Sequence, residues 1–402
     1  MKESGIDWIG QIPEEWKVTK LKYVLLISNG KDYKDIEVEE GGYPVIGSGG
    51  VFARARNYMY DGDVVLLGRK GTIDKPLFYS GKFWTVDTMF YSTALNGNNI
   101  KFMYYSSLLI PFSYYSTATA LPSMTQSDLN NHVLCLPSIS EQQKIADFLD
   151  KKTAQLDKAK ELLEEQIQKL KDYRASLIYE TVTKGLDKTV PMKDSGIDWI
   201  GQVPEGWGVK RLKDYVDFQT GTTPPQSIGV NQERKGVRWF KPGDFSDESV
   251  DLTSAENYIT SEVVNQQKLS VYPEKTILVV GIASIGKVGY SESHSYSNQQ
   301  ITALKVTGQI FPKYLAYLMF SSGQYIRETA LYTIVPIINN QYLSSLKIVL
   351  PNLEEQESIV EYLDRQIMQI NKMITIKNQQ IENINKQRQT LIYDYVTGKR
   401  RV

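Results

Sequence analysis

The stretch SGIDWIGQIPEEW at residues 4–16 returns as SGIDWIGQVPEGW at residues 195–207. When the comparison is extended back to the two methionines, Met1–Trp16 and Met192–Trp207 agree at 13 of 16 positions. A chain that contains the same beginning twice is predicted to hold two domains built on the same plan.

The repeat continues to the end of each copy. SISEQQKIADFLD (138–150) matches NLEEQESIVEYLD (352–364), and SLIYETVT (176–183) matches TLIYDYVT (390–397). The offset between the copies is 191 residues at the start and 214 at the end, so the second copy has gained 23 residues. The ends of the copies are alike and their interiors differ, which predicts one architecture that presents two different surfaces. A solenoid would need more copies and a shorter period.

Each copy is predicted to end in a long helix of about 40 residues, or about 60 Å at the rise of an α-helix. Ser140 is the predicted N-cap of the first helix, and Gly185 and Gly398 are typical helix stops. Apolar residues recur at the a and d positions of heptads, which is the pattern of a coiled coil. Lys377 and Arg388 interrupt the pattern, either where the helix frays or where the pairing register is set. The predicted helix-pairing residues are Leu149, Leu156, Leu163, Leu170, Leu177, Leu363, Ile367, Ile370, Ile374, Ile381, Ile384 and Leu391.

The part of each copy that precedes its long helix, here called a lobe, is predicted to mix helices and strands. The expected fold class is α+β: two globular mixed α/β domains separated by two long helices that form an antiparallel coiled coil, with an internal pseudo-twofold. The alternative is that each helix pairs with a second copy of the chain in a homodimeric coiled coil. The predicted boundaries are 1–139 for lobe 1, 140–185 for its helix, 186–353 for lobe 2 and 354–402 for its helix.

Short runs rich in Val, Ile and Leu and bounded by Gly, Pro or Asp predict the strands of the lobes. They are YPVIGS (43–48), DVVLLG (63–68), HVLCLP (132–137), TILVVG (276–281) and LKIVLP (346–351). Amphipathic helices are predicted at 99–110 and 311–329. Cys135, the single cysteine, falls in one of these runs and is predicted to be a buried strand residue.

Composition excludes several classes of function. The chain has 46 basic and 46 acidic residues, whereas a protein that holds nucleic acid without help usually carries a basic excess. No apolar run approaches the length of a membrane span, and MKESGIDWIGQ has no apolar segment of a secretory signal. With one cysteine and no disulfide framework, a cytoplasmic location is expected.

Catalytic motifs are also missing from the sequence. GIASIGKV (281–288) has the glycine and lysine spacing of a phosphate-binding loop, but Val288 stands where Ser or Thr must ligate Mg²⁺. The two histidines, His132 and His294, lie in different copies, so no His/Cys metal cluster can be built. Asp63 and Asp74 near Lys75 are too weak a signal for a nuclease. The chain is therefore predicted to bind a partner without its own catalysis.

These features resemble the specificity subunits of type I restriction–modification enzymes over essentially the whole chain. The resemblance rests on the repeated D-W-I-G-Q-x-P-E-x-W, on Leu-Pro followed by Glu-Gln at 136–142 and 350–356, and on the two long helices. Lobe 2 resembles one common type of recognition domain through Gly221-Thr-Thr-Pro224, Lys241-Pro-Gly-Asp244, Ser284-Ile-Gly-Lys287 and Asn298-Gln-Gln300. Lobe 1 resembles another type through Ile46-Gly-Ser-Gly-Gly50, Gly68-Arg-Lys-Gly-Thr-Ile73 and Phe83-Trp-Thr-Val-Asp87, and has no Asn-Gln-Gln counterpart.

The resemblance implies a function for the repeat. Each lobe would be a target-recognition domain that reads half of a split double-stranded DNA site, and the helical pair would set the distance between the halves. The expected partners are two modification subunits carrying S-adenosylmethionine and two motor-nuclease restriction subunits using ATP and Mg²⁺. No cofactor or metal is expected in this chain.

Candidate DNA-reading residues follow from base chemistry, because Arg and Lys can donate to guanine and Asn and Gln can pair with adenine. They are Arg54, Arg56, Arg69, Lys70 and Lys75 in lobe 1, and Thr222, Lys241, Ser284, Lys287, Asn298, Gln299 and Gln300 in lobe 2. Each could instead contact phosphate, which positions the DNA without specifying it, or lie in a solvated turn. Asn339-Asn340-Gln341 could be a turn rather than a reader of bases, because its match in lobe 1 is Thr125-Gln126-Ser127.

Two other classes of function remain open from the residues. A stand-alone sequence-specific regulator would bind DNA tightly by itself, and the missing basic excess argues against it. A structural adaptor could join proteins through its coiled coil, but it would have no need of two different lobe interiors.

Overall fold

The computed structural model describes residues 1–115, 122–223, 230–231, 234–266, 268–330 and 337–402, with backbone alone at 230–231. Pro224 of the Gly-Thr-Thr-Pro motif lies outside these residues. The chain forms two compact units: unit 1 is Met1–Leu163 with Asn378–Val402, and unit 2 is Glu164–Lys377. Each unit therefore contains one lobe and a part of both long helices.

The lobe of unit 1 is built around a seven-stranded sheet in the order β4-β10-β8-β9-β6-β7-β5, with β11 paired to β3 and β1 to β2. Its strands are β1 (Lys2–Glu3), β2 (Gln11–Ile12), β3 (Lys17–Lys20), β4 (Leu25–Asn29), β5 (Glu37–Val38), β6 (Tyr43–Gly47), β7 (Gly50–Ala55), β8 (Tyr60–Gly68), β9 (Leu77–Thr85), β10 (Met89–Ala94) and β11 (Val133–Leu136). Its helices are α1 (Ile100–Ser107), α2 (Phe112–Tyr115), α3 (Gln126–Asn131) and the first part of α4 (Ile139–Lys184).

The lobe of unit 2 has two four-stranded sheets, β15-β22-β19-β20 and β16-β18-β17-β21, with β14 paired to β23 and β12 to β13. Its strands are β12 (Met192–Asp194), β13 (Gln202–Pro204), β14 (Gly208–Arg211), β15 (Val216–Thr220), β16 (Val230–Asn231), β17 (Val237–Phe240), β18 (Asn257–Ile259), β19 (Thr276–Val280), β20 (Val288–Ser291), β21 (Ser295–Ser297), β22 (Ile301–Val306) and β23 (Lys347–Leu350). Its helices are α5 (Ser261–Gln266), α6 (Pro312–Ser321), α7 (Gly323–Thr329), α8 (Asn340–Ser345) and the first part of α9 (Leu353–Val396).

The central strands β8 and β19 explain the all-apolar runs of the sequence. In β8, Val65 and Leu67 enter the core shared with α1, while Val64 and Leu66 enter a second core on the other face of the sheet. A strand buried on both faces has no polar alternation, because successive side chains point to opposite sides. The residues of β19 divide between two cores in the same way. All five predicted strands are confirmed.

The predicted helix at 311–329 is interrupted. It ends as α6 at Ser321 and resumes as α7 at Gly323. The hydroxyls of Ser321 and Ser322 donate to the carbonyls of Leu318 and Met319, at 2.8 and 2.7 Å. Serine side chains that bond to nearby helix carbonyls offer the backbone an alternative to continuing the helix.

The long helices run antiparallel within each unit, as predicted. In unit 1, Asp157 of α4 pairs with Arg388 of α9 at 3.5 Å, and the rings of Phe148 and Tyr395 lie 4.5 Å apart. In unit 2, Gln166 accepts a hydrogen bond from Lys377, and Arg174 donates to Asn371. In both units the residue number rises along one helix as it falls along the other. All twelve predicted pairing residues are buried or half-buried. Lys377 and Arg388, which break the heptads, contact the partner helix, so the helices are not frayed at these positions.

The N-cap of α4 is Ser138, so the prediction of Ser140 is wrong. The helix begins at Ile139, and the backbone N–H of Glu141 donates to the Ser138 hydroxyl at 3.3 Å. Asn352 occupies the equivalent place before α9 and accepts from the N–H of Glu355 at 2.9 Å. Ser138 and Ser140 lie on either side of Ile139. In the sequence, only the match of Ser138 to Asn352 in the second copy could distinguish the two as N-caps.

Replacing Ser138 by alanine is expected to lower the free energy of unfolding by about 0.5–1 kcal/mol, because one N–H of the first turn loses its acceptor. Ser140→Ala is the matched control and should leave stability within about 0.5 kcal/mol, since Ser140 is an exposed residue inside the helix. Guanidinium denaturation followed by circular dichroism measures both. A larger loss for Ser140→Ala than for Ser138→Ala would contradict the assignment of the cap.

The repeated motif attaches each lobe to a long helix. The indole N–H of Trp16 donates to Glu141 of α4 at 3.1 Å, and that of Trp207 donates to Glu355 of α9 at 3.2 Å. The following glutamine is buried in both copies: the Gln142 side chain accepts from the backbone N–H of Asn99 at 2.9 Å and donates to a prolyl carbonyl at 3.1 Å. Gln356 makes the equivalent two bonds in unit 2.

A second repeated contact joins a lobe helix to a long helix. In unit 1, Lys101 and Tyr105 of α1 both contact the carboxylate of Asp150, at 2.6 and 2.7 Å. The same two contacts in unit 2 join Lys313 and Tyr317 to Asp364, at 3.0 and 2.6 Å. The repeated residues of the sequence are therefore those that hold the lobes on the helices.

Candidate nucleic-acid interface

Four separate chain segments meet at one edge of the large sheet in unit 1. Because β4, β10 and β8 are antiparallel neighbours, the ends of β4 and β8 lie beside the start of β10. The N–H of Gly30 donates to Met89 at 3.0 Å, that of Arg69 donates to Thr88 at 2.8 Å, and that of Met124 donates to Arg69 at 2.9 Å. We call the segments 29–32, 68–71, 85–88 and 122–126 the loop edge of unit 1.

The corresponding segments meet in unit 2. There the N–H of Gly221 donates to Ile301 at 3.1 Å, that of Gly281 donates to Gln300 at 2.7 Å, and that of Ile338 donates to Gly281 at 2.9 Å. The segments 220–223, 281–284, 298–300 and 337–341 form the loop edge of unit 2. Lys241 lies next to it, because β17 and β21 are parallel and the N–H of Asn298 donates to Phe240 at 3.1 Å.

Glycine is required at the same place in both loop edges. A Cβ at Gly30 would lie 2.0 Å from the carbonyl oxygen of Val86, and one at Gly221 would lie 2.2 Å from that of Ser297. The two backbones can approach this closely only without a side chain. These glycines match at the offset of 191. Both lobes therefore bring the corresponding pair of neighbouring strands together in the same way: β4 and β10 in unit 1, and β15 and β22 in unit 2.

The loop edge of unit 1 is cationic. Arg69 is half-buried, donates to the backbone carbonyl of Asp87 at 3.2 Å, and lies over the ring of Phe90 at 5.8 Å. Lys31 and Lys70 are exposed, and their ammonium groups have no hydrogen-bond or ion-pair partner within the described part of the chain. A guanidinium held by a ring and a carbonyl is oriented for a further partner, since it retains most of its five N–H donors.

The loop edge of unit 2 is lined with neutral polar groups. Thr223 donates to the amide oxygen of Gln299, and the buried side chain of Asn298 donates to that of Gln300 at 2.9 Å. Thr222 is hydrogen-bonded to the hydroxyl of Tyr296. Gln299 and Gln300 line a groove of about 430 Å³ together with Ile337 and Gln341.

A tyrosine supports this edge from behind. Burial raises the pKa of Tyr272 to about 12. It lies 2.8 Å from the hydroxyl of Ser297, the residue before Asn298. The turn that carries the three amides is therefore held by a neutral hydrogen bond.

Several predicted reading residues lie elsewhere or are already engaged. Arg54 donates to the carbonyls of residues 41 and 42, and Arg56 donates to the carbonyl of residue 35 at 3.2 Å. Lys287 pairs with Asp247 at 3.2 Å and lines a different cavity, one that also includes part of α4. Lys75 is exposed between β8 and β9, outside the four segments. Their reading of bases stays a prediction.

The other predicted reading residues reach the loop edges. They are Arg69 and Lys70 in unit 1, and Thr222, Ser284, Asn298, Gln299 and Gln300 in unit 2, with Lys241 beside them. Ser284 is exposed, and the Lys241 ammonium lies 5.1 Å from the centre of the Trp239 ring.

Sequence reasoning missed Lys31 and Gln341. Lys31 matches Thr222 at the offset of 191, so the repeat alone could have identified it. Gln341 belongs to the first turn of α8, which Asn339 caps by accepting from the N–H of Tyr342 at 2.9 Å. No signal in the sequence distinguished its exposed side chain from that of an ordinary turn residue.

No cluster of three metal-ligating side chains occurs in the described ranges. Across the same residues, no helix combines the length and the apolar character that a membrane crossing requires.

Comparison with known proteins decides the family. The model of the family described as the type I restriction modification DNA specificity domain matches residues 13–171 and 204–385, one segment in each copy of the repeat. The chain belongs to this family.

Two distant relatives in the type I specificity family match over most of their length. The chain is 22% identical to the type I restriction enzyme MjaVIII specificity subunit of Methanocaldococcus jannaschii, covering 98% of this chain and 94% of that protein. It is 23% identical to the EcoBI specificity subunit of Escherichia coli, covering 99% of this chain and 89% of that one.

A solved structure shares the fold. It is described as "Structural basis underlying complex assembly and conformational transition of the type I R-M system", and the match has a TM-score of 0.74 at 17% identity, covering 96% of this chain and 98% of that one. The match to the HsdS subunit from Thermoanaerobacter tengcongensis has a TM-score of 0.53. The α+β fold with two lobes and two long helices is thus the fold of this family.

Proposed function

We propose that this chain is the sequence-specific DNA-recognition subunit of a type I restriction–modification complex. Each target-recognition domain, 1–139 and 186–353, reads one half of a bipartite site, and the helical pair sets the spacing between the halves. The observation that carries the proposal is the pair of loop edges. They are built by the same backbone contacts in both units, yet they carry different side chains.

The chemistry of the loop edges suits duplex DNA. Fixed backbones with free guanidinium, ammonium and amide groups can donate to base edges in the major groove, where each base pair presents its own pattern of donors and acceptors. The formal net charge of zero means that this chain neutralises few phosphates by itself. Partner subunits therefore supply much of the phosphate contact.

We assign the chemistry to those partners. Two modification subunits bind S-adenosylmethionine and methylate the DNA, and two restriction subunits use ATP and Mg²⁺. This chain is non-catalytic and carries no cofactor. It acts in the cytoplasm, where it directs methylation and restriction to the site that its two domains read.

The test is reconstitution of this chain with its cognate modification subunit. The rigorously purified chain should not methylate DNA, and the assembled complex should methylate plasmid DNA at one bipartite sequence, mapped by sequencing of methylated bases. The modification subunit alone is the control and should leave that sequence unmodified. Methyl transfer by this chain alone would contradict its non-catalytic role, and a complex without sequence preference would contradict its role in recognition.

A further inference from the structure

We infer that the two loop edges demand different bases: unit 1 requires a guanine through Arg69, and unit 2 requires an adenine–thymine pair through Gln341 and Ile337. The inference rests on the proposed function and deepens it, since it names the base class that each half of the site must contain. It follows from which side chains at each edge are already engaged and which are free.

Gln341 presents an unengaged amide on a fixed backbone. Asn339 caps the turn that carries it, and the side chain of Asn340 accepts from Thr302 at 3.1 Å. Gln341 itself is exposed, and its side-chain amide has no partner in the described ranges. An amide oxygen and an amide nitrogen together match the N6 donor and the N7 acceptor of adenine.

The neighbouring groups favour the same base pair. Ile337 is 45% exposed on the groove shared with Gln341, although it is a large aliphatic side chain. An exposed apolar group beside an adenine reader can contact the methyl group of the paired thymine, which a guanine–cytosine pair lacks. The side-chain oxygens of Gln299 and Gln300 each accept one hydrogen bond within the protein. Their amide N–H groups therefore remain able to donate to either strand of the DNA.

Unit 1 has no free amide at the equivalent place. Gln126, the match of Asn340, donates to the backbone carbonyl of Ile27 at 2.7 Å, and Thr125 is occupied in a capping box with Asp128. Within its described residues, this loop edge also exposes no large apolar side chain. The exposed amide of Asn29 lies at this edge, but no large apolar side chain is exposed among the same described segments to contact the methyl group of thymine.

Arg69 of unit 1 is suited to guanine rather than to an adenine–thymine pair. Its backbone is held on both sides by the bonds to Thr88 and Met124, and its guanidinium is held by the Phe90 ring and the Asp87 carbonyl. Two parallel N–H donors match O6 and N7 of guanine, which is the commonest specific contact that arginine makes with DNA. Lys31 and Lys70 belong to the same edge and add positive charge there, which the exposed carboxylates of Asp32 and Asp87 partly offset.

The experiment selects DNA with the assembled complex. Duplexes carrying two randomised blocks, separated by gaps of several lengths, are bound by the full chain with its modification subunits, and the bound fraction is sequenced. The wild type should enrich a guanine in one half-site and an adenine in the other. Gln341→Ala should reduce the preference for that adenine roughly 5- to 150-fold and leave the other half unchanged, and Arg69→Ala should do the same to the guanine of the other half.

Matched controls lie in the same units. Gln202→Ala removes an exposed glutamine of β13, which contributes nothing to the groove, and Arg400→Ala removes an exposed arginine that pairs with Asp394. Both should leave the selected sequence unchanged. Gln341→Glu tests for a change of specificity. Its carboxylate can only accept hydrogen bonds, so the preferred base should change from adenine to cytosine.

The outcomes separate the two levels of the hypothesis. If the wild-type complex enriches no sequence, the proposed function fails. If it enriches a bipartite sequence that Gln341→Ala and Gln341→Glu leave unaltered, or if Gln341→Ala and Arg69→Ala relax the same half, the assignment of bases is overturned while the function stands. Thermal melting of each variant distinguishes lost folding from lost recognition.

Discussion

Replacing Trp16 by alanine should lower the free energy of unfolding of unit 1 by about 3–5 kcal/mol, which is the range for truncating a buried tryptophan. The Trp16 side chain is fully buried in the core beneath the sheet, and its indole N–H is the donor to Glu141. Gly398, after the end of α9, packs so closely that a Cβ there would lie 3.2 Å from the Trp16 ring. The variant therefore creates a cavity where the lobe and both long helices of the unit meet.

Trp8→Ala is the matched control, because Trp8 lies in the same repeated motif and is 39% exposed. It should cost well under half as much. Denaturation followed by far-ultraviolet circular dichroism reports both variants without depending on the fluorescence of the residue removed. Equal losses for the two tryptophans would mean that the motif does not anchor the lobe through Trp16.

Acidification should destabilise unit 1 through His132. Burial lowers the pKa of this histidine to about 4, and its ring nitrogen Nδ1 lies 3.0 Å from the hydroxyl of Tyr115. In the unfolded chain a histidine titrates near about 6.5. Between these two pKa values the unfolded state binds a proton and the folded state does not. The stability contributed by the neutral histidine is fully present above pH 6.5 and is lost as the pH falls toward 4. The loss from this residue should reach about 3 kcal/mol at pH 4.

The measurement compares the wild type with His132→Asn from pH 7 to pH 4. Carboxylates titrate in the same window, but they do so in both proteins, so the difference in the free energy of unfolding isolates the histidine. We expect the variant to be the less stable at pH 7 and the gap to narrow by about 3 kcal/mol at pH 4. A gap that stays constant for His132→Asn would show that its folded pKa is not depressed.

Much of the architecture could be predicted because it depends on local pattern. The heptads of Leu and Ile predicted two long helices, and the runs of Val, Ile and Leu predicted the central strands. These signals survive in one sequence because helical and strand periodicities are short-range properties. The repeat added long-range information: residues that match between the copies, such as Trp16 and Trp207, make the same contact in both units.

The candidate site was only partly predictable. Arg54, Arg56 and Arg69 were equivalent candidates in the sequence, yet backbone carbonyls distant along the chain hold the first two outside the loop edge, while Arg69 reaches it. Lys287 looked like a reader, and it is paired with Asp247. Whether a side chain is already hydrogen-bonded or ion-paired depends on neighbours that are distant along the chain.

The sequence by itself determined the repeat, the helices, the central strands and the residues that fasten each lobe, because each of these repeats a pattern or a contact within one chain. Only the tertiary structure decided which segments form the loop edges and which side chains remain free there. Backbone hydrogen bonds between antiparallel strands bring Gly30, Arg69 and Met124 together from separate parts of the chain. In unit 2 the bonds of Gly281 to Gln300 and of Ile338 to Gly281 bring Gln341 and Gln300 to one groove, so the chemistry of each edge depends on backbone pairing that no local pattern encodes.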